Sequence, residues 1–132
     1  VVSGLHSSIG LDATPTAAER AAARRALRGF GIAALAARRL GSLSYGQVRR
    51  VLFARAAIGA PRLLLLDEPF AGVDAPTRTA LRRGIERLVA SGTAVMLASH
   101  HRDEWPENAS HELELAAGRP AWCGPLRGHR HA

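Results

Sequence analysis

The segment Leu66-Asp67-Glu68-Pro69 closes a run of four leucines and carries two adjacent carboxylates. If the leucines form a buried strand, the acidic pair lies at its C-terminal end, where open α/β sheets bind their ligands. Asp67 is then placed to hold Mg²⁺, directly or through water, because a hard cation takes oxygen ligands. Glu68 reaches past the strand end, where it can orient and activate a water for attack on a γ-phosphate. Acidic residues also close many strands that carry no chemistry, so the pair alone decides little.

Three further segments bear on it. Leu43-Ser44-Tyr45-Gly46-Gln47 is a short polar loop opening onto a helical pattern. Ser44 offers a hydroxyl, Gly46 permits close backbone approach, and a helix start presents free N–H groups, a combination suited to phosphate. The same residues equally describe a serine-capped helix. Ala71-Gly72-Val73-Asp74 is a tight turn before a helix, and Asp74 reads there as a plain N-cap. His100 follows Ser99 behind a second apolar run, beside the expected position of Glu68. An imidazole there can donate a hydrogen bond to a phosphate oxygen, although with His101 next to it a surface histidine fits as well.

The elements that must hold these groups follow from periodicity and breakers. Thr16 with Glu19 forms a capping-box pattern for a helix to about Gly29, and residues 32–38 read as a short helical piece. Val48, Val51, Leu52 and Ile58 recur at helical spacing behind Ser44, and Pro61 stops that helix. The leucine run reads as a parallel strand covered on both faces. Pro76 suits the first turn of the next helix, with Leu81, Ile85, Leu88 and Val89 on one stripe and Gly92 at its end. Residues 94–98 form a second apolar strand, and residues 111–115 and 121–123 read as a closing hairpin around Gly118. Strand, helix, strand with short links implies an α/β layer with parallel pairing.

Composition limits the alternatives. At 132 residues and 47% hydrophobic, the chain can bury a core. No apolar run is long enough to span a bilayer, and no secretory signal pattern is visible. A lone cysteine, Cys123, excludes an internal disulfide framework and fits a reducing compartment such as the cytoplasm. The net charge is +7, and all 18 basic residues are Arg. They are dispersed among Ala-rich helices, and aromatics are only 5%, so stacking platforms for nucleic acid are scarce and no direct nucleic-acid partner is expected.

The ordered set, a Ser-Gly-Gln loop, a strand ending in Asp-Glu-Pro, a turn with Asp, then Ser-His after another strand, resembles the ABC-type ATPase family over nearly the whole chain. The resemblance implies a partial P-loop NTPase domain of α/β class, with parallel strands, flanking helices and a closing hairpin. Residues 1–60 or so correspond to a helical subdomain and signature helix, and about 61–132 to the remainder. It also implies ATP and Mg²⁺ as ligands. Ser44, Gly46 and Gln47 look like the signature loop, which contacts ATP held by an opposite domain. Asp67 looks like the Walker B aspartate, Glu68 like the catalytic glutamate, Asp74 like the D-loop aspartate at the dimer interface and His100 like the switch histidine. The implied partners are a second ATPase domain, as homodimer or tandem repeat, and a membrane permease, with the protein peripheral at the inner face of the cell membrane. Tyr45 stands where the family most often has Gly, and Val73 where it often has Leu. The Ser8-Ile9-Gly10-Leu11 and Ser-His-His segments, with residues 103–111, look like a tandem-domain branch linked to molybdate transport.

The sequence contains no Gly-x-x-x-x-Gly-Lys, no Lys at all, and only one Gln, Gln47. The nucleotide-gripping P-loop and the Q-loop of the family are therefore expected to lie outside these residues. The chain by itself is expected to bind Mg-ATP weakly or not at all, to show no turnover, and to associate through exposed strand edges and apolar faces. Two other functions compete: the C-terminal lobe of a Rad50/SMC-type DNA-maintenance ATPase, which would be entered from long heptads not seen before Leu43, and a non-catalytic docking remnant.

Overall fold

A computed structural model of the chain describes residues 1–6 and 14–127; the Ser8-Ile9-Gly10-Leu11 segment lies outside the described residues. Thr16 caps α1 (Ala17–Gly29) through the expected box: Glu19 N–H donates to Thr16 Oγ1 at 3.2 Å, and Thr16 N–H donates to Glu19 Oε2 at 2.7 Å. The helical piece expected over 32–38 is instead a 3-10 turn at Ala33–Leu35, followed by another at Leu40–Ser42. Ser44 then caps α2 (Tyr45–Ala57), as its position before the helical pattern requires.

The stripe of α2 is only partly the expected one, with Val51 packed on the core as expected. Phe53 and Ala54 are its buried residues, while Leu52 is exposed. The helix lies between two others, and Phe53 fills the space toward α1 by packing on Phe30 with ring centroids 5.8 Å apart. Beyond Pro61, the leucine run forms β1 (Leu63–Asp67). Asp74 caps α3 (Ala75–Ala90), which returns the chain to β2 (Ala94–Ala98), parallel to β1 with Leu63 opposite Ala94 and Asp67 opposite Ala98. Leu81 and Ile85 of α3 are fully buried against Leu27, Phe30, Phe53, Phe70 and Val73. Gly84 sits under the Phe30 ring, where a β-carbon would collide with its edge.

The sheet is covered on one face only: the leucine strand is not packed on both sides as its apolar run suggested, and its open side is an exposed apolar face of the kind expected for this chain. Leu64 is buried, and Leu66, Val95 and Leu97 pack on the core. The alternate residues Leu63, Leu65 and Met96 are 55%, 65% and 62% exposed. Side chains alternate across a strand, and among the described residues no layer lies on that side. The apolar character of both faces remains in the sequence even though only one is packed here.

The chain ends in an antiparallel hairpin of β3 (His111–Ala116) and β4 (Arg119–Pro125), longer than the expected strands. Its two-residue turn has positive φ at Ala117 (49°) and Gly118 (73°), the pattern of a type I′ turn that matches strand twist. Glu112 of β3 is buried and bound by Arg127 Nε at 3.0 Å, with Arg102 3.4 Å away; this ties the hairpin to the segment after β2. Among the described residues, no helix is long and apolar enough to cross a membrane.

Candidate active site

The parallel register brings the C-terminal ends of β1 and β2 side by side, and the sequence-predicted groups fall on both. Glu68 extends the ladder by one step, donating its N–H to Ala98 O at 3.0 Å. Its carboxylate meets the imidazole that follows β2: His100 Nδ1 lies 2.8 Å from Glu68 Oε1. An ionised carboxylate only accepts, so Nδ1 carries the proton in this contact. The hydrogen bond and then the charge of Glu68 raise the basicity of His100 above its ordinary value, with a smaller push from Glu104. Asp67, one residue earlier, is exposed, and its carboxylate makes no hydrogen bond or ion pair among the described residues.

A second cluster forms where the N-termini of α2 and α3 meet. Ser44 Oγ accepts from Gln47 N–H at 3.3 Å, and Gln47 Oε1 accepts from Ser44 N–H at 3.0 Å, a complete capping box. The Ser44 hydroxyl proton remains free to donate outward, because capping uses only the oxygen as acceptor. Asp74 Oδ1 accepts from Thr77 N–H at 2.9 Å, and hydrogen bonds from the Thr77 side chain and backbone hold the Asp74 carboxyl below its usual range. Gly46 lies against the same Thr77, which is buried. Tyr45 spans the two segments: its hydroxyl donates to Ala71 O at 3.4 Å, its ring packs on Gly72, and Arg49 Nε donates to its oxygen at 3.1 Å.

The structure thus brings Glu68 and His100 into contact beside Asp67, and sets Gly46 and Asp74 against Thr77, with Ser44 and Gln47 capping the helix start that carries Gly46. No hydrogen bond joins the two groups among the described residues. Three participants escaped sequence reasoning. Thr77 follows Asp74 at the N-cap-to-N3 spacing, which could have marked it. Tyr45 stood out as a departure from a family pattern, without any hint of the turn it touches. Glu104, buried behind Ser99, carries no local signal, since its burial depends on α3.

Could Mg²⁺ and a phosphate chain fit these residues? Among the described residues no cluster of three or more His, Cys, Asp or Glu forms a closed metal cage. Mg²⁺ does not need one: it keeps several waters and takes one or two carboxylates together with substrate phosphates. The unpartnered Asp67 carboxylate at the strand end supplies that kind of ligand, so the donor set fits.

Comparison with known proteins identifies the class. The family model described as "ABC transporter" matches residues 4–71, and the chain belongs to that family. It is 33% identical over 123 residues to the chelated iron transport system membrane protein YfeB of Yersinia pestis, covering 89% of this chain and 42% of that protein. It is 38% identical over 118 residues to the molybdenum import ATP-binding protein ModC of Aromatoleum aromaticum, covering 89% of this chain and 31% of that one. Among solved structures it resembles an ABC transporter described as of the metal-chelate type and captured facing inward. That likeness has a TM-score of 0.78 at 26% identity, covering 94% of this chain and 49% of the other. The chain therefore spans between about a third and a half of the length of these relatives.

Proposed function

We propose that this chain supplies the hydrolytic and partner-facing part of an ATPase that energises solute import. The observation that carries the reading is the 2.8 Å contact between Glu68 and His100 at the paired strand ends, beside the free carboxylate of Asp67. Glu68 acts as the base that orients a water and takes its proton. His100 holds Glu68 in place through Nδ1 and uses its other ring nitrogen to donate to a phosphate oxygen when protonated. Asp67 holds Mg²⁺, which when bound neutralises charge on the transferred phosphate. Ser44, with its hydroxyl proton free, Gly46 and Gln47 present the start of α2 to the phosphates of ATP held by a second ATPase domain. Asp74, rigid at the start of α3, lies on the surface toward that domain.

The partners in this reading are a second copy or tandem domain and a membrane permease at the inner face of the cell membrane. The relatives' names cover iron, molybdenum and aliphatic sulfonates, which supports solute import as a class and does not favour molybdate over other cargo.

The test is hydrolysis of Mg-ATP by the intact natural polypeptide and its Glu68→Gln variant. Loss of general-base catalysis lowers kcat by about 10²–10⁴-fold while ATP binding, followed by equilibrium dialysis, persists. Equal turnover in the two proteins would refute the assignment of Glu68.

A further inference from the structure

Glu104 is a carboxylate that the proposed chemistry leaves unused, and it is only 5% exposed. A buried charge is tolerated when it is paired and hydrogen-bonded, and this one is held from two sides. Ser99 Oγ donates to Glu104 Oε2 at 3.1 Å, and Arg78 Nε of α3 lies 3.4 Å from Oε1. Ser99 Oγ in turn accepts from the N–H of His101 at 3.1 Å. A hydrogen-bonded chain therefore runs from the buried carboxylate through the hydroxyl to the backbone, with the α3 guanidinium beside it as an ion pair, and holds the residues on both sides of His100. The His100 side chain itself is 72% exposed, with Glu68 as its hydrogen-bond partner. An exposed ring with one such contact needs its backbone fixed to stay aimed.

We infer that Glu104 is a positioning residue: by accepting from Ser99, and so fixing the hydroxyl that accepts from the His101 N–H, it aims His100 at Glu68. The purpose of that aim rests on the hydrolytic reading above, but the anchoring does not. Glu104→Gln keeps an oxygen that can accept from Ser99 and removes the charge, whereas Glu104→Ala removes the acceptor. Both are compared with wild type in the intact natural polypeptide, without nucleotide, by amide hydrogen exchange and by the ring-nitrogen NMR spectrum of His100.

In Glu104→Ala, exchange of the His101 amide rises about tenfold or more, as loss of one hydrogen bond implies. The Nδ1–H signature of His100 bonded to a carboxylate disappears, while amides of α3 and β2 keep their wild-type rates. Glu104→Gln stays within about twofold of wild type on these measures. Ser99→Ala removes the acceptor of the His101 N–H itself and sets the scale of the full loss, and Glu104→Leu, which keeps buried volume without an acceptor, carries the test if Glu104→Ala does not fold. Equal losses in the Gln and Ala variants, or unchanged exchange in the Ala and Ser99→Ala variants, would overturn the inference. In Mg-ATP hydrolysis, Glu104→Ala lowers kcat with KM unchanged, and Glu104→Gln restores it. If the wild type hydrolyses nothing, the hydrolytic reading falls and the exchange pattern still decides the role of Glu104.

Discussion

Replacing Gly46 by Ala tests whether the two helix N-termini are as closely fitted as the structure indicates. A β-carbon at position 46 would lie 2.6 Å from Thr77 Oγ1 and 3.3 Å from Thr77 Cγ2. The first distance is well inside van der Waals contact. Thr77 cannot simply swing away: it is 3% exposed, β-branched and in the first turn of α3. Overpacking of this kind destabilises by about 1–3 kcal/mol. Against it stands the better helix propensity of Ala, about 1 kcal/mol in a helix interior and less in a first turn. The net expectation is a loss of about 1 kcal/mol, opposite in sign to the gain that propensity alone gives.

The assay is urea unfolding of the intact natural polypeptide, read as a shift of the midpoint at constant m-value. Thr77→Ala and the double variant complete a cycle. The added methyl fits once the threonine is truncated, so the double variant is more stable than the two single losses sum to, by about 1–2 kcal/mol of coupling. If Gly46→Ala is stabilising and the coupling is below about 0.3 kcal/mol, the close approach of α2 and α3 at Gly46 and Thr77 is wrong.

Three other outcomes follow from the same geometry. His100 titrates above its ordinary 6.5, because the Glu68 hydrogen bond and charge favour the protonated ring. The stabilisation from this pair is complete below 6.5 and disappears as pH rises through the raised value, and an NMR titration of Glu68→Gln returns His100 toward 6.5. Arg127 holds the Glu112 carboxyl below its ordinary 4.5, so that link is intact above 4.5 and is lost as pH falls through the lowered value. Protection of the hairpin amides, taken relative to their intrinsic exchange at each pH, then falls on acidification, and Arg127→Ala gives the same loss of protection at neutral pH. Finally, the 132-residue chain associates through the open sheet face, and Leu65→Glu with Met96→Lys reduces its light scattering; unchanged scattering would acquit that face.

Much of the fold was legible because its signals are local. Thr16 with Glu19 and Ser44 with Gln47 specify helix starts within four residues, and Pro61 and Pro76 mark boundaries through backbone chemistry. Glu68 and His100 were legible as a pair only through the order of motifs, since 31 residues separate them and parallel pairing closes the gap. What stayed hidden depends on packing between distant segments. The buried stripe of α2 turned on Phe53 meeting Phe30, which periodicity cannot rank above Leu52. Which face of β1 stays open was not legible, because an all-leucine strand looks the same whether one side or both are covered. The burial of Glu104 has no local sign, because it arises only where Ser99 and α3 close around it.

The backbone at Glu68 ties the strand to the chemistry. Its φ is +43°, in the left-handed region, where a residue with a β-carbon is disfavoured by about 1–2 kcal/mol. Glycine would adopt this conformation without that strain, yet a glutamate occupies the position. Along β1, residues 63, 65 and 67 face the open side, and 64 and 66 face the core. If the strand continued extended, alternation would turn position 68 inward with Leu64 and Leu66, burying a carboxylate among apolar side chains. The left-handed step breaks the alternation after the last ladder bond to Ala98, and the carboxylate meets His100 on the neighbouring strand end instead. Ala60 and Ala117 hold the same conformation, but at Glu68 the strained residue is the one whose side chain contacts His100, as the role proposed for it requires.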